Sequence, residues 1–259
     1  MLRLTPVPPV VWVNWTYQDD YEHLALIEEL LYFDLLSTRP LRLTVEKAGM
    51  VFGGSLNIVT MRHWSRIFEY PWALRAADPA PGDVILDAGG GEGLLQYSLA
   101  ARCASVVNVD CSEAYIGKVL AGPLYGYFRN IRYEVGDIRK LEYPNDHFDK
   151  VFCVSVLEHM TTQTDVMAAA KEMYRVLKPG GHLVLTVDVA PFARWSHSID
   201  DKFLQELFGQ WGVIVPPRPE EALIGTCDEA EPRPGEPTQV AMTVFCAKII
   251  KQKSSSNSA

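Results

Sequence analysis

The stretch that decides the fold runs from Asp83 to Ala101 and reads Asp-Val-Ile-Leu-Asp-Ala-Gly-Gly-Gly-Glu-Gly-Leu-Leu-Gln-Tyr-Ser-Leu-Ala-Ala. The apolar run Val84–Leu86 predicts a buried strand that ends at Asp87. The apolar spacing from Leu94 onward is typical of a helix packed against a sheet. The glycine turn between them leaves free backbone N–H groups, and the positive end of a helix dipole, beside a concave spot with room for a ligand.

The spacing of the glycines separates two classes of ligand. A dinucleotide fingerprint, G-x-G-x-x-G, requires a third glycine, and neither register of this turn supplies one. The pattern present is Asp87-x-Gly89-x-Gly91-x-Gly93. It resembles the first motif of class I S-adenosylmethionine-dependent methyltransferases, in which the turn wraps the amino-acid and ribose parts of the cofactor. The resemblance implies cofactor contacts from Asp87, Gly89, Gly90 and Gly91.

Composition limits the class of protein. The chain has 259 residues, of which 48% are hydrophobic and 22% charged, which suits a globular protein of one domain with an appendage. The net charge is −8, so a phosphate backbone is a poor partner and nucleic acid is disfavoured as a substrate. Five cysteines without a C-x-x-C pair argue against a disulfide framework or a zinc site and fit a reducing cytoplasm.

Neither a targeting segment nor a membrane span is indicated. Pro6, Pro8 and Pro9 interrupt the apolar start of the chain, which makes it a poor signal peptide. No window approaches the roughly 18 apolar residues of a membrane span. We therefore expect a soluble, cytoplasmic protein with no membrane partner and no metal.

Acidic residues follow the next two predicted strands. Asp110 ends the run from Ser105 and lies 17 residues after Gly93, a length that suffices for a helix and a return strand. Asp110 would then lie beside the glycine turn and accept two hydrogen bonds from a ribose diol; the alternative is an N-cap for the following helix. The resemblance adds the neighbouring Cys111, and it assigns the adenine ring to Asp137 and Ile138 after the third strand.

The fourth predicted strand, from Phe148 to Val154, ends in Ser155-Val-Leu-Glu-His159. In the resembled family this strand tip faces the cofactor and the methyl acceptor, so Ser155 is a cofactor candidate. His159 is the natural general base because it titrates near neutrality, and Glu158 would hold its tautomer or contact the acceptor. A purely structural His159 is the alternative.

Segments on either side complete the predicted fold. A helical stretch from Met61 to Arg75 should kink or restart at Pro71, and Arg66 and Tyr70 are candidates to cover the methionine end of the cofactor. Residues 211–215 and 239–250 suit a closing antiparallel hairpin. The prediction is a doubly wound α/β fold: a seven-stranded, mostly parallel sheet with an antiparallel last strand. Residues 1–78 form an N-terminal arm and helical lid, residues 79–251 the Rossmann-like catalytic domain, and residues 252–259 a disordered tail.

These observations favour a methyltransferase that uses S-adenosyl-L-methionine and acts on a small-molecule acceptor at an O-, N- or C-centre. The Asp/Asn-Pro-Pro-Tyr and Pro-Cys patterns of nucleobase-modifying enzymes are absent after the fourth strand. A nucleotide- or NAD-dependent Rossmann enzyme is one alternative, and a non-catalytic cofactor-binding regulatory protein is another. The apolar N-terminal arm suggests either a lid or a homodimer contact.

Overall fold

A computed structural model describes residues 9–12, 66–122, 125–126, 128–189, 199–218, 225–228 and 239–253. Of the predicted N-terminal arm and helical lid, residues 1–8 and 13–65 lie outside these residues, as do residues 254–259 of the predicted tail. Within the described residues, no helix is both long and apolar enough to cross a lipid bilayer.

Helices and strands alternate along most of the described chain. The strands are β1 (Val10–Trp12), β2 (Val84–Ala88), β3 (Ser105–Asp110), β4 (Ile131–Val135), β5 (Phe148–Val154), β6 (Leu177–Val189), β7 (Gly225–Asp228) and β8 (Gln239–Ile250). The helices are α1 (Arg66–Ala77), α2 (Leu95–Ala100), α3 (Glu113–Ala121), α4 (Gln163–Val176) and α5 (Asp201–Gly209), and a short 3₁₀ helix spans Leu157–His159.

The centre of the sheet is parallel, in the order β4-β3-β2-β5-β6. Strand β8 then pairs antiparallel with β6, which gives six strands in the α/β core of the part of the chain that the structure describes. Strands β1 and β7 both pair antiparallel with β8. Since β1 pairs within its own chain, and the rest of the N-terminal arm is not described, the homodimer contact stays a prediction.

The prediction of a seventh strand at residues 211–215 is wrong, because this segment forms a turn and coil after α5. The N–H groups of Trp211 and Val213 both donate to the carbonyl of Phe208, at 3.1 and 3.2 Å. These bonds complete the C-terminal end of the helix and remove donors that a strand would need. The side chain of Ile214 is accordingly 84% exposed.

Two apolar cores lie on opposite faces of the sheet, as the alternation along a strand dictates. Ile85 packs with α1 and α2, whereas Leu86 packs with α4 and α5. Helix α1 is a single helix through residue 71, so of the two alternatives predicted at Pro71 the restart is wrong. A proline in the second turn of a helix removes only one hydrogen bond, and the packing of α1 against the sheet compensates for that loss.

Candidate active site

The carboxyl ends of four neighbouring strands meet at one edge of the sheet. Strands β2 and β3 stay in register to Ala88 and Val109, and the N–H of Gly89 then donates to the carbonyl of Val109 at 2.7 Å. One strand further, the N–H of Gly136 donates to the carbonyl of Asp110 at 2.9 Å. The glycine turn, Asp110 and Gly136, the residue before Asp137, therefore lie next to one another at this edge of the sheet.

The glycines of the turn are required by their surroundings. Gly89 has φ +76°, and a Cβ there would lie 2.6 Å from both Cγ atoms of Val156, which follows β5. A Cβ on Gly90 would lie 2.5 Å from Oδ2 of Asp87. Such separations are far below van der Waals contact, so only glycine lets the turn lie against these two side chains.

Two buried amide side chains, which the sequence analysis missed, hold the turn from below. Nδ2 of Asn108 donates to the carbonyl of Gly91 at 3.1 Å and to Oε1 of Gln96 at 2.9 Å. Nε2 of Gln96 in turn donates to the carbonyl of Gly93 at 2.7 Å. Both side chains are completely buried. The available signal was Asn108 itself, a polar residue inside the apolar run of β3.

Asp110 has one carboxylate oxygen committed within the chain and a second that faces the turn. Its Oδ1 accepts the N–H of Ser112 at 2.8 Å, and Ser112, rather than Asp110, caps helix α3. Its Oδ2 lies 3.4 Å from where a Cβ on Gly91 would be. The carboxylate therefore borders the turn, as its predicted contact with a ribose diol requires. Cys111, the next residue, is an exposed free cysteine.

Asp87 is buried under the same turn. Removal from solvent, together with the smaller effect of the negative charge of Asp110, raises the pKa of its carboxyl group from 3.8 to about 7. The two carboxyl groups together carry more negative charge beside the turn as the pH rises through about 7, and this charge suits a cationic ligand.

The predicted adenine subsite has an unexpected neighbour. Arg139 binds both carboxylate oxygens of Asp137, with Nε to Oδ1 at 3.0 Å and Nη2 to Oδ2 at 2.8 Å. Nη1 of Arg139 also binds Asp165 at 2.6 Å, which ties this loop to the start of α4. These contacts lower the pKa of Asp137. Ile138 is buried, as its predicted role against a ring face allows.

The end of β5 presents the three predicted residues in different environments. Ser155 is buried and adopts φ +49°, which is unusual for a residue other than glycine. Glu158 is fully buried on the 3₁₀ helix, where its charge contributes to raising the pKa of Cys153. His159 is exposed at the end of the same helix. Only the histidine is thus open to an acceptor that enters from solvent.

Helix α1 lies against the last glycine of the turn. Tyr70 is buried, and its hydroxyl lies 2.8 Å from where a Cβ on Gly93 would be, so it closes over the end of the turn. The side chain of Arg66 lies outside the described residues. Glu69, which the sequence analysis did not single out, is buried against Ser155.

The residues present fit the cofactor that the turn implies. The turn is tight, its two positive-φ glycines Gly89 and Gly91 keep the backbone bare, and the outer oxygen of Asp110 borders it. The acidic side chains of Asp87 and Asp110 suit the positively charged groups of S-adenosylmethionine. The carboxylate of Asp110 also suits the hydroxyl donors of its ribose diol. Fold and site together define a Rossmann-like domain that binds a nucleoside cofactor at the carboxyl ends of its strands.

Comparison with known proteins finds a methyltransferase domain in this chain. Residues 86–185 match the family described as "Methyltransferase domain". A relative from Coxiella burnetii named "Ubiquinone/menaquinone biosynthesis C-methyltransferase UbiE" is 32% identical over 143 residues, which cover 52% of this chain and 54% of the relative. The "Ubiquinone biosynthesis O-methyltransferase" of Thiobacillus denitrificans is 35% identical over 117 residues, covering 43% and 48%. The chain thus spans about half the length of the curated relatives it matches.

A solved structure of the same fold contains the demethylated cofactor. The N-methyltransferase NodS from Bradyrhizobium japonicum, solved with S-adenosyl-L-homocysteine, superposes with a TM-score of 0.54 at 18% identity. The alignment covers 81% of this chain and 99% of NodS. The match at residues 86–185 and the methyltransferases similar to this chain support a class I S-adenosylmethionine-dependent methyltransferase domain.

Proposed function

We propose that the protein is an enzyme that transfers a methyl group from S-adenosylmethionine to a small-molecule acceptor. The observation that carries the proposal is the Asp110 carboxylate, whose Oδ2 borders the bare glycine turn at Gly91. The relatives described above from Coxiella burnetii and Thiobacillus denitrificans are named for ubiquinone or menaquinone biosynthesis, the first as a C-methyltransferase and the second as an O-methyltransferase. Those names support a small organic acceptor and leave the acceptor atom open.

The chain's own residues would contribute position and proton transfer. When bound, the cofactor supplies an electrophilic methyl group on a sulfonium. The turn and Asp110 fix the cofactor, and such positioning supplies most of the acceleration in a displacement of this kind. His159 is exposed beside the end of β5, so we assign it the role of the general base that removes a proton from the acceptor. Glu158 is fully buried on the same 3₁₀ helix, so we assign it an orienting role.

Calorimetry tests the cofactor assignment. The protein should bind S-adenosylhomocysteine and ignore NAD. Asp110→Ala should weaken that binding by roughly 1–3 kcal/mol, because charge-assisted hydrogen bonds are lost. Asp110→Asn keeps an acceptor for Ser112 and should lose less, whereas Glu113→Gln, which removes an exposed acid from α3, serves as the matched control. Unchanged affinity in Asp110→Ala would remove this residue from the site.

Turnover separates an enzyme from a regulatory protein that merely holds the cofactor. The release of S-adenosylhomocysteine should be followed with a panel of phenols, amines and acidic carbon acids. His159→Ala should bind the cofactor like the wild type and turn over more slowly, with the acidic limb of the pH–rate profile lost. Tight cofactor binding with no turnover across the panel would favour the regulatory protein instead.

A further inference from the structure

Glu69 joins helix α1 to the ends of two strands. It lies in the first turn of α1 and is fully buried. Its Oε1 accepts a hydrogen bond from Oγ of Ser155 at 2.5 Å and another from Oγ1 of Thr186. A fully buried carboxylate costs free energy unless such donors compensate for the lost water, and both hydroxyls serve that purpose here.

The backbone of Ser155 is held at the same point. Its N–H donates to the carbonyl and to Oγ1 of Thr186, both at 3.1 Å. Its φ of +49° lies in the left-handed region, which costs a non-glycine residue free energy and persists only where neighbours impose it. Because the hydroxyl proton of Ser155 goes to Glu69, this hydroxyl has only acceptor capacity left for a ligand.

The conformation of Ser155 determines where the next residue lies. Val156 packs so closely on Gly89 that a Cβ there would be 2.6 Å from its methyl groups. A relaxed Ser155 would turn Val156 away and leave the first glycine of the cofactor turn without support. The contacts therefore run from Glu69 through Ser155 and Val156 to Gly89.

We propose that Glu69 is a positioning residue: its carboxylate holds Ser155 in the left-handed conformation that places Val156 against the cofactor turn. The proposal rests on the proposed function only insofar as this turn binds S-adenosylmethionine. It gives α1, which precedes the methyltransferase domain match, a direct part in shaping the cofactor site.

Substitutions at Ser155 separate conformation from simple hydrogen bonding. Ser155→Ala loses the hydroxyl and keeps the strain, so its affinity for S-adenosylhomocysteine should fall about tenfold, as in Glu69→Ala. Ser155→Gly loses the same hydroxyl, but glycine adopts positive φ freely, so it should bind severalfold more tightly than Ser155→Ala. In the Ser155→Gly background, Glu69→Ala should then change little. Calorimetry on these variants, with Glu113→Gln as the control, gives the affinities.

A purely structural role for Glu69 makes the opposite prediction. Ser155→Gly would then bind at least as weakly as Ser155→Ala, and that order would overturn the proposal. If Glu69→Ala does not fold, the comparison of the two Ser155 variants still decides. Glu69→Gln, which keeps an acceptor oxygen, should recover most of the affinity that Glu69→Ala loses.

Amide hydrogen exchange of the ligand-free protein reads the same contacts without the cofactor. In Glu69→Ala, exchange should speed up together at residues 154–156 and at the turn, residues 89–93. Faster exchange at residues 154–156 alone would refute the connection to the turn. A wild type that binds no S-adenosylhomocysteine would refute the proposed function, while the exchange experiment would still decide the role of Glu69.

Discussion

Replacing Asp87 with asparagine should stabilise the folded chain at alkaline pH and have much less effect under acidic conditions. Burial and the charge of Asp110 raise the pKa of Asp87 from 3.8 to about 7. Each unit of difference between the folded and unfolded pKa corresponds to about 1.4 kcal/mol, so an ionised Asp87 costs the native state about 4 kcal/mol. Asparagine has no charge to bury and avoids this cost.

The sign of the pH dependence follows from the direction of the pKa shift. The folded carboxyl holds its proton up to about pH 7, whereas the unfolded carboxyl releases its proton near pH 4. The native state therefore loses stability through this group as the pH rises between those two values. Between about pH 5 and about pH 8, the advantage of Asp87→Asn over the wild type should grow by about 3 kcal/mol.

Urea denaturation at the two pH values measures this difference directly. Comparing the change with pH cancels any packing difference between asparagine and a protonated aspartate. Glu92→Gln, an exposed acid of the same turn, is the matched control and should show no such growth. If the stability advantage of Asp87→Asn is the same at both pH values, the reasoning that burial raises the pKa of Asp87 is refuted. We also expect the variant to bind the cationic cofactor more weakly, since the stabilised site has lost a charge.

Further perturbations address the turn and its edge. Gly89→Ala should destabilise the chain by roughly 1–3 kcal/mol in urea denaturation and abolish cofactor binding, because φ is +76° and Val156 fills the space. Gly117→Ala, in open space within α3, should instead stabilise by roughly 0.5–1 kcal/mol, and equal effects at both positions would contradict the packing argument. Arg139→Ala should raise the pKa of Asp137 and strengthen cofactor binding in calorimetry, since the carboxylate is no longer shared. Weaker binding would show instead that Arg139 itself holds the ligand.

The sequence by itself determined the parallel centre of the sheet and the edge where the site lies. Apolar runs that end in Asp87 and Asp110 indicate buried strands that each end in an acidic residue. This pattern depends only on neighbouring residues, so it can be recognised in the sequence. A right-handed crossover then brings the two tips together without further information. The glycine pattern excluded the dinucleotide fingerprint for a reason equally local, the absence of a third glycine.

Only the tertiary structure decided how that site is held. Ser155 and Thr186 both donate hydrogen bonds to Glu69, although they lie 86 and 117 positions after it in the sequence. No periodicity in the sequence predicts this contact. The same holds for Arg139, whose place on Asp137 and Asp165 depends on where α4 begins. Strand propensity at residues 211–215 was overridden because the end of α5 uses the N–H groups of Trp211 and Val213. Contacts between distant parts of the chain depend on packed geometry, whereas strands and turns depend mainly on their own residues.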